Sequence, residues 1–207
     1  MNWIDGVLII LLLTSVIVGA RKGLIRELMA FLVFFVAIII SVNYLDRFAV
    51  WVYDKSGFTP LLSAFISFVL LLAISYVAFK VVGLAFYKIA SIKSSGKTDQ
   101  MGGALIGFLR GWVAIGFLTV LVFMLPMPNS FYSSFENSFL GPSVAKTIPL
   151  LYDSTARIHP RNPSFMAQME KSLLIEKPGG QPSEDRQQVQ QVMYQMERFF
   201  NSDFKMH

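Results

Sequence analysis

Four apolar runs fill most of the first 125 residues, and their length constrains this chain more than any other feature. A bilayer core of about 30 Å needs roughly 20 apolar residues of helix. Trp3 to Ala20 meets that length, broken only by Asp5 near its start. Leu28 to Leu45 follows, with no charge between Phe31 and Val42, and Leu61 to Phe79 is uncharged throughout. The fourth run, Gly103 to Leu125, carries one charge, Arg110, and stops at Pro126 and Pro128. A soluble helix is apolar along one stripe, whereas Leu28 to Leu45 is apolar around its whole circumference. Four such helices in a soluble fold leave too little polar surface to cover them. The fold class expected is all-α: a polytopic membrane domain over 1–126 with four transmembrane helices at about 3–20, 28–45, 61–79 and 103–125. A helical, partly flexible extramembrane tail over 127–207 completes the chain.

Composition agrees. Charged residues make up 15% of the chain, against about 25% in soluble domains. The net charge of +5 lies entirely in residues 1–125, which hold ten Lys/Arg and five Asp/Glu; residues 126–207 hold eight of each. A nucleic-acid binder clusters its cations on a solvated face, and no such cluster exists here. With no cysteine, disulfides, thiolate nucleophiles and Cys-ligated metals are excluded.

The basic residues read as an orientation signal. Arg21, Lys22 and Arg26 lie between the first two runs, and Lys80, Lys88, Lys93 and Lys97 between the last two. Between the second and third, Arg47 and Lys55 are balanced by Asp46 and Asp54. Seven positives therefore face two, which predicts loops one and three in the cytoplasm and both termini outside. Residues 1–20 do not read as a cleaved signal peptide, because the positive charges follow the apolar run instead of preceding it.

Little in the chain suggests catalysis. His159 sits in a proline-rich turn and His207 is the last residue, so no His pair has metal-ligand spacing. Gly102 to Gly107 superficially resembles a phosphate loop, but Phe108 and Leu109 stand where Lys and Ser/Thr are needed. No enzyme, cofactor or metal is expected.

Gly103, Gly107 and Gly111 are four residues apart and stack along one helix face. Small residues at that spacing let two membrane helices approach closely. The spacing serves either packing within the chain or a homo-oligomer seam. Arg110 lies about 10 Å from the Gly103 end of its helix. An unpaired Arg at mid-membrane costs at least ~2.5 kcal/mol on insertion scales, so a partner is expected. Glu27, where the second run begins on the same side, is the first choice. Asp99 lies about 16 Å away along the same helix, beyond contact, and Asp5 is near the opposite interface. Arg110 is then either a structural ion-pair member or part of a site for an anionic solute.

In the tail, Pro142 to Ile158 reads as one or two short helices interrupted at Pro149, His159 to Pro163 as a linker, and Ser164 to Leu174 as a short helix. Lys177 to Pro182 is a flexible break. Ser183 reads as the N-cap of an amphipathic helix over about 184–201. Val189, Val192, Met193, Met196, Phe199 and Phe200 share one face of it. That face either docks another envelope or export protein or folds back on its own chain.

Three stretches together resemble the colicin V production protein family of bacterial inner-membrane proteins. Asn2-Trp3-Ile4-Asp5 is similar to the family's opening, where an Asp starts the first helix. Arg21 to Glu27 is similar to its Arg-Gly-aromatic-x-Arg-Glu pattern, with Lys22 inserted and Leu24 in place of the aromatic. Asp99-x-x-Gly102-Gly103-x-x-x-Gly107-x-x-Arg110-Gly111 resembles its strongest signature. The resemblance covers about residues 1–155 and implies a four-helix inner-membrane protein tied to toxin production or export and to envelope homeostasis. The function expected is a non-enzymatic membrane scaffold, with the bilayer as its environment and no nucleic acid as partner. The competing class is a small oligomeric channel or transporter using Arg110 and Asp99.

Overall fold

The computed structural model describes residues 2–90, 96–175 and 184–200. Among these, helices account for all regular structure: α1 (Trp3–Lys22), α2 (Leu24–Ser56), α3 (Pro60–Ala90), α4 (Lys97–Phe123), α5 (Asn129–Glu136), α6 (Gly141–Ala145), α7 (Thr147–Ser154), α8 (Phe165–Leu173) and α9 (Glu184–Phe200). Four are long and apolar enough to cross a membrane: Trp3–Lys22, Leu24–Ser56, Pro60–Val81 and Lys97–Phe123.

All four of these helices outrun the apolar stretches that announce them, α1 by reaching Lys22 rather than Ala20. α2 starts at Leu24, not Leu28, and runs on to Ser56 where hydropathy stops at Leu45. α3 continues to Ala90 instead of Phe79, and α4 begins at Lys97 rather than Gly103 and ends at Phe123 rather than Leu125. A charge ends the hydrocarbon-compatible part of a helix, not the helix. What ends α2 is Gly57, left-handed at φ 69°, whose N–H bonds Tyr53 O. Beyond Leu45 the helix still has a packed face, since Ala49 and Val52 are buried. The α1–α2 turn needs only Gly23, at φ 83°, a conformation a side chain would strain.

α1 and α4 run antiparallel, with Gly19 and Gly103 at one end of the bundle (the Gly23 end). At the other (the Trp3 end), the carboxylate of Asp5 in the first turn of α1 accepts from Asn2 N at 3.2 Å. It also accepts from Ser138 Oγ at 2.6 Å and Leu140 N at 3.0 Å, fastening the tail to the start of the chain.

In the tail the α6–α7 break falls at Lys146 instead of Pro149. Pro149 sits in the first turn of α7, where its missing N–H has no helical partner to lose. Ser164 caps α8, its hydroxyl accepting from Ala167 N at 3.5 Å. The Lys177–Pro182 break, the Ser183 cap and residue 201 lie outside the described residues. The tail shares the core of the bundle. The ring of Phe123 meets those of Phe135, Phe199 and Phe200 at centroid separations of 5.0, 5.1 and 5.2 Å. The expected linker is ordered too: His159 stacks on Tyr152 at 4.1 Å, and Asn162 Nδ2 donates to Asn43 Oδ1 at 3.2 Å. The buried Tyr152 phenol donates to Asn162 O at 2.8 Å.

Candidate functional site

The residues singled out by the sequence converge at the Gly23 end. Gly103, Gly107 and Gly111 are all buried, and what they face is α1 of the same chain. A methyl group added at Gly107 would meet Ser15 O at 2.7 Å, and one at Gly111 would meet Ser15 Cβ at 2.6 Å. At Gly103 it would strike the carbonyl of Gly19, and at Gly19 the carbonyl of Gly103. The helices touch backbone to backbone, and Ser15 Oγ donates to Gly107 O at 2.8 Å across the seam. The α1 half of this seam was legible and missed: Ser15, Gly19 and Gly23 repeat the same four-residue spacing.

Close approach of α1 and α4 brings the start of α2 beneath them. The amide of Leu24 donates to Asp99 Oδ1 at 2.9 Å, so Asp99 tethers the α1–α2 turn to the first turn of α4. Three residues past Leu24, Glu27 Oε1 stands 2.8 Å from Arg110 Nε, and Glu27 Oε2 stands 3.8 Å from Lys22 Nζ. The Glu27 side chain is fully buried, Arg110 is 19% exposed and Lys22 46%. Neither Glu27 oxygen takes a well-directed hydrogen bond among the described residues. Charge, more than hydrogen-bond geometry, therefore holds this cluster. Lys22 was read only as an orientation signal; its place beside Glu27 depends on the Gly23 turn folding α2 back against α1.

The remaining sequence-marked cations spread around the same end. Arg21, Arg26, Lys80 and Lys97 are exposed, with Lys80 Nζ 5.9 Å from the centre of the Tyr76 ring. Lys93 and the side chain of Lys88 lie outside the described residues.

The amphipathic face of α9 is elsewhere, at the Trp3 end. Val189, Val192, Met196, Phe199 and Phe200 are buried and Met193 is half-buried. Phe199 lies against Phe135 and Phe200 against Phe165, and Arg198 pairs with Glu136. That face is occupied by its own chain, so the folded-back arrangement, not an open docking face, is what the structure contains.

A family model described as Colicin V production protein matches residues 4–149. No curated protein and no solved structure matches the chain. The matched span takes in both halves of the glycine seam, the Glu27–Arg110 pair and the Asp5 anchor, and ends within α7.

Proposed function

The chain belongs to the colicin V production protein family, and from that premise we propose that it is a non-enzymatic accessory or scaffold protein in toxin production or export. Its setting is a bacterial inner membrane, with the Gly23 end in the cytoplasm and both termini in the periplasm. The loop charges support that orientation, and the tail then presents its outer surface to envelope or export partners.

The observation that carries the scaffold reading is the closed seam. Where α1 crosses α4 there is no room for a methyl group, so no solute passes between them. Two hydroxyls inside the bundle, those of Ser41 and Thr119, turn back on their own helices instead of lining a path. Ser41 Oγ donates to Ala37 O at 2.6 Å and Thr119 Oγ1 to Ile115 O at 2.9 Å. Asp99, a conduit residue in the competing transporter reading, is engaged by the Leu24 amide.

Two measurements test this. A periplasmic reporter fused after Lys177 is active and one fused near Lys93 inactive; the reverse pattern ends the orientation. Purified protein in liposomes gives no ion or solute flux above that of empty vesicles. A robust flux abolished by Arg110→Ala replaces the scaffold with a transporter.

A further inference from the structure

The depth of the tail follows from the register of the seam. Ser15 lies against Gly107 and Gly111, and Trp3 is twelve residues before it, about 18 Å along α1. The same rise along the antiparallel α4, counted from Gly107 and Gly111, reaches Thr119 to Phe123, so Trp3 and the last turn of α4 stand in one plane. That plane marks the edge of the membrane, because α1 exposes apolar side chains from its first turn: Trp3 is 61% exposed, and Val7 and Ile10 follow on the same helix. Aromatic residues of this kind favour the membrane–water interface.

The tail does not stay above that plane. Ser138 and Leu140 are held at the level of Asp5. The chain then descends. A methyl group on Gly116 would meet Thr147 Cβ at 3.1 Å and Val144 O at 3.2 Å, and Gly116 is three to seven residues short of that plane, about 5–10 Å inside it. The same Thr147 is held there from α4 a second time, its Oγ1 accepting from Trp112 Nε1 at 2.9 Å. After α7 the chain leaves along α2, where Asn162 meets Asn43. Protein shields most of the helix break at this depth: Val144, Ala145, Thr147, Ile148 and Pro149 are buried, and Lys146 at the break itself is half-buried. Irregular backbone at membrane depth is tolerated on that condition.

We propose that α6 and α7 form a re-entrant hairpin seated in the leaflet on the Trp3 side, with lipid as its partner. Phe139, Ile158 and Leu150 are the most exposed large apolar side chains of the described tail, at 87%, 76% and 60%; they contact acyl chains. Arg157 and Arg161, both exposed, flank Ile158 and meet headgroup phosphates. α6 and α7 are thus part of the membrane domain, not of a soluble appendage.

The chain has no cysteine, so single cysteines report without background. Leu150→Cys, Ile158→Cys and Phe139→Cys, with Gln191→Cys on the exposed polar face of α9 as comparator, are labelled with an environment-sensitive fluorophore. The protein is then reconstituted in phosphatidylethanolamine–phosphatidylglycerol vesicles. Labels at 139, 150 and 158 are quenched severalfold more by shallow spin-labelled lipid than by aqueous iodide, and the label at 191 shows the reverse. Iodide quenching of 150 and 158 equal to that of 191 overturns the proposal, placing the hairpin in water. Shielding of both from either quencher overturns it too, because a second copy of the chain then covers the surface.

Discussion

The two ends of the bundle are closed by opposite means. At the Gly23 end, the seam consists of residues with almost no side chain, Gly19, Gly103 and Gly107, drawn together until backbone meets backbone. At the Trp3 end, Phe123 is surrounded by five aromatic rings from α5 and α9: Phe131, Tyr132, Phe135, Phe199 and Phe200. Lipid is as apolar as a protein core, so burial gives no net drive between membrane helices and close van der Waals contact must supply it. Nearer the water, burial of large rings regains its usual worth. A small-residue seam tolerates almost no change in volume, whereas an aromatic cluster has several neighbours that adjust together.

The sharpest way to break that contrast is Gly107→Leu. A side chain there has backbone 2.7 Å from its first carbon, and backbone cannot move aside as a rotamer does. The expected result is a loss of about 3 kcal/mol or more, read as disappearance of the monodisperse peak in detergent. A variant that stays folded would mean the seam opens freely. Next is the ion pair. Glu27→Gln leaves Arg110 facing a neutral group and costs about 3 kcal/mol in a denaturation series. Arg110→Met combined with Glu27→Gln costs less than the two single losses added; strict additivity would separate the two residues energetically.

At the aromatic end, Phe123→Leu is expected to cost about 1–2 kcal/mol, because its five neighbours close part of the space. A loss equal to that of Gly107→Leu would erase the difference between the ends. The smallest effect is at Ser15→Ala, which removes the 2.8 Å bond to Gly107 O. Hydrogen bonds between membrane helices average about 0.6 kcal/mol, so thermal stability falls by a degree or two at most, while any larger loss would make Ser15 and not the glycines the centre of the seam.

Much of this was legible in the sequence, for reasons that differ by residue. The spans show because each residue's apolar character acts on its own, and Gly103, Gly107 and Gly111 show because helical periodicity is local. Glu27 emerged as the nearest carboxylate to Arg110 from topology alone. The helix ends beyond Leu45 and Phe79 did not show, because hydropathy reports the solvent a helix prefers and not where its hydrogen bonds stop. The α6–α7 break was placed at Pro149 because proline was given a helix-interior meaning, whereas a first-turn position makes it harmless. Nothing local marked Asp5 as the anchor for Ser138 and Leu140, which lie more than 130 residues away.

The sequence by itself determined that this chain has four membrane-crossing helices, a strong charge asymmetry between their loops and a tail ending in an amphipathic helix. Each of these is a sum over neighbouring residues. Only the tertiary structure decided that the glycine face meets α1, that the amphipathic face closes on its own chain and that α6 and α7 descend beside Gly116. Those outcomes depend on which of several compatible surfaces pack most closely, and that is a property of pairs of segments far apart in the chain.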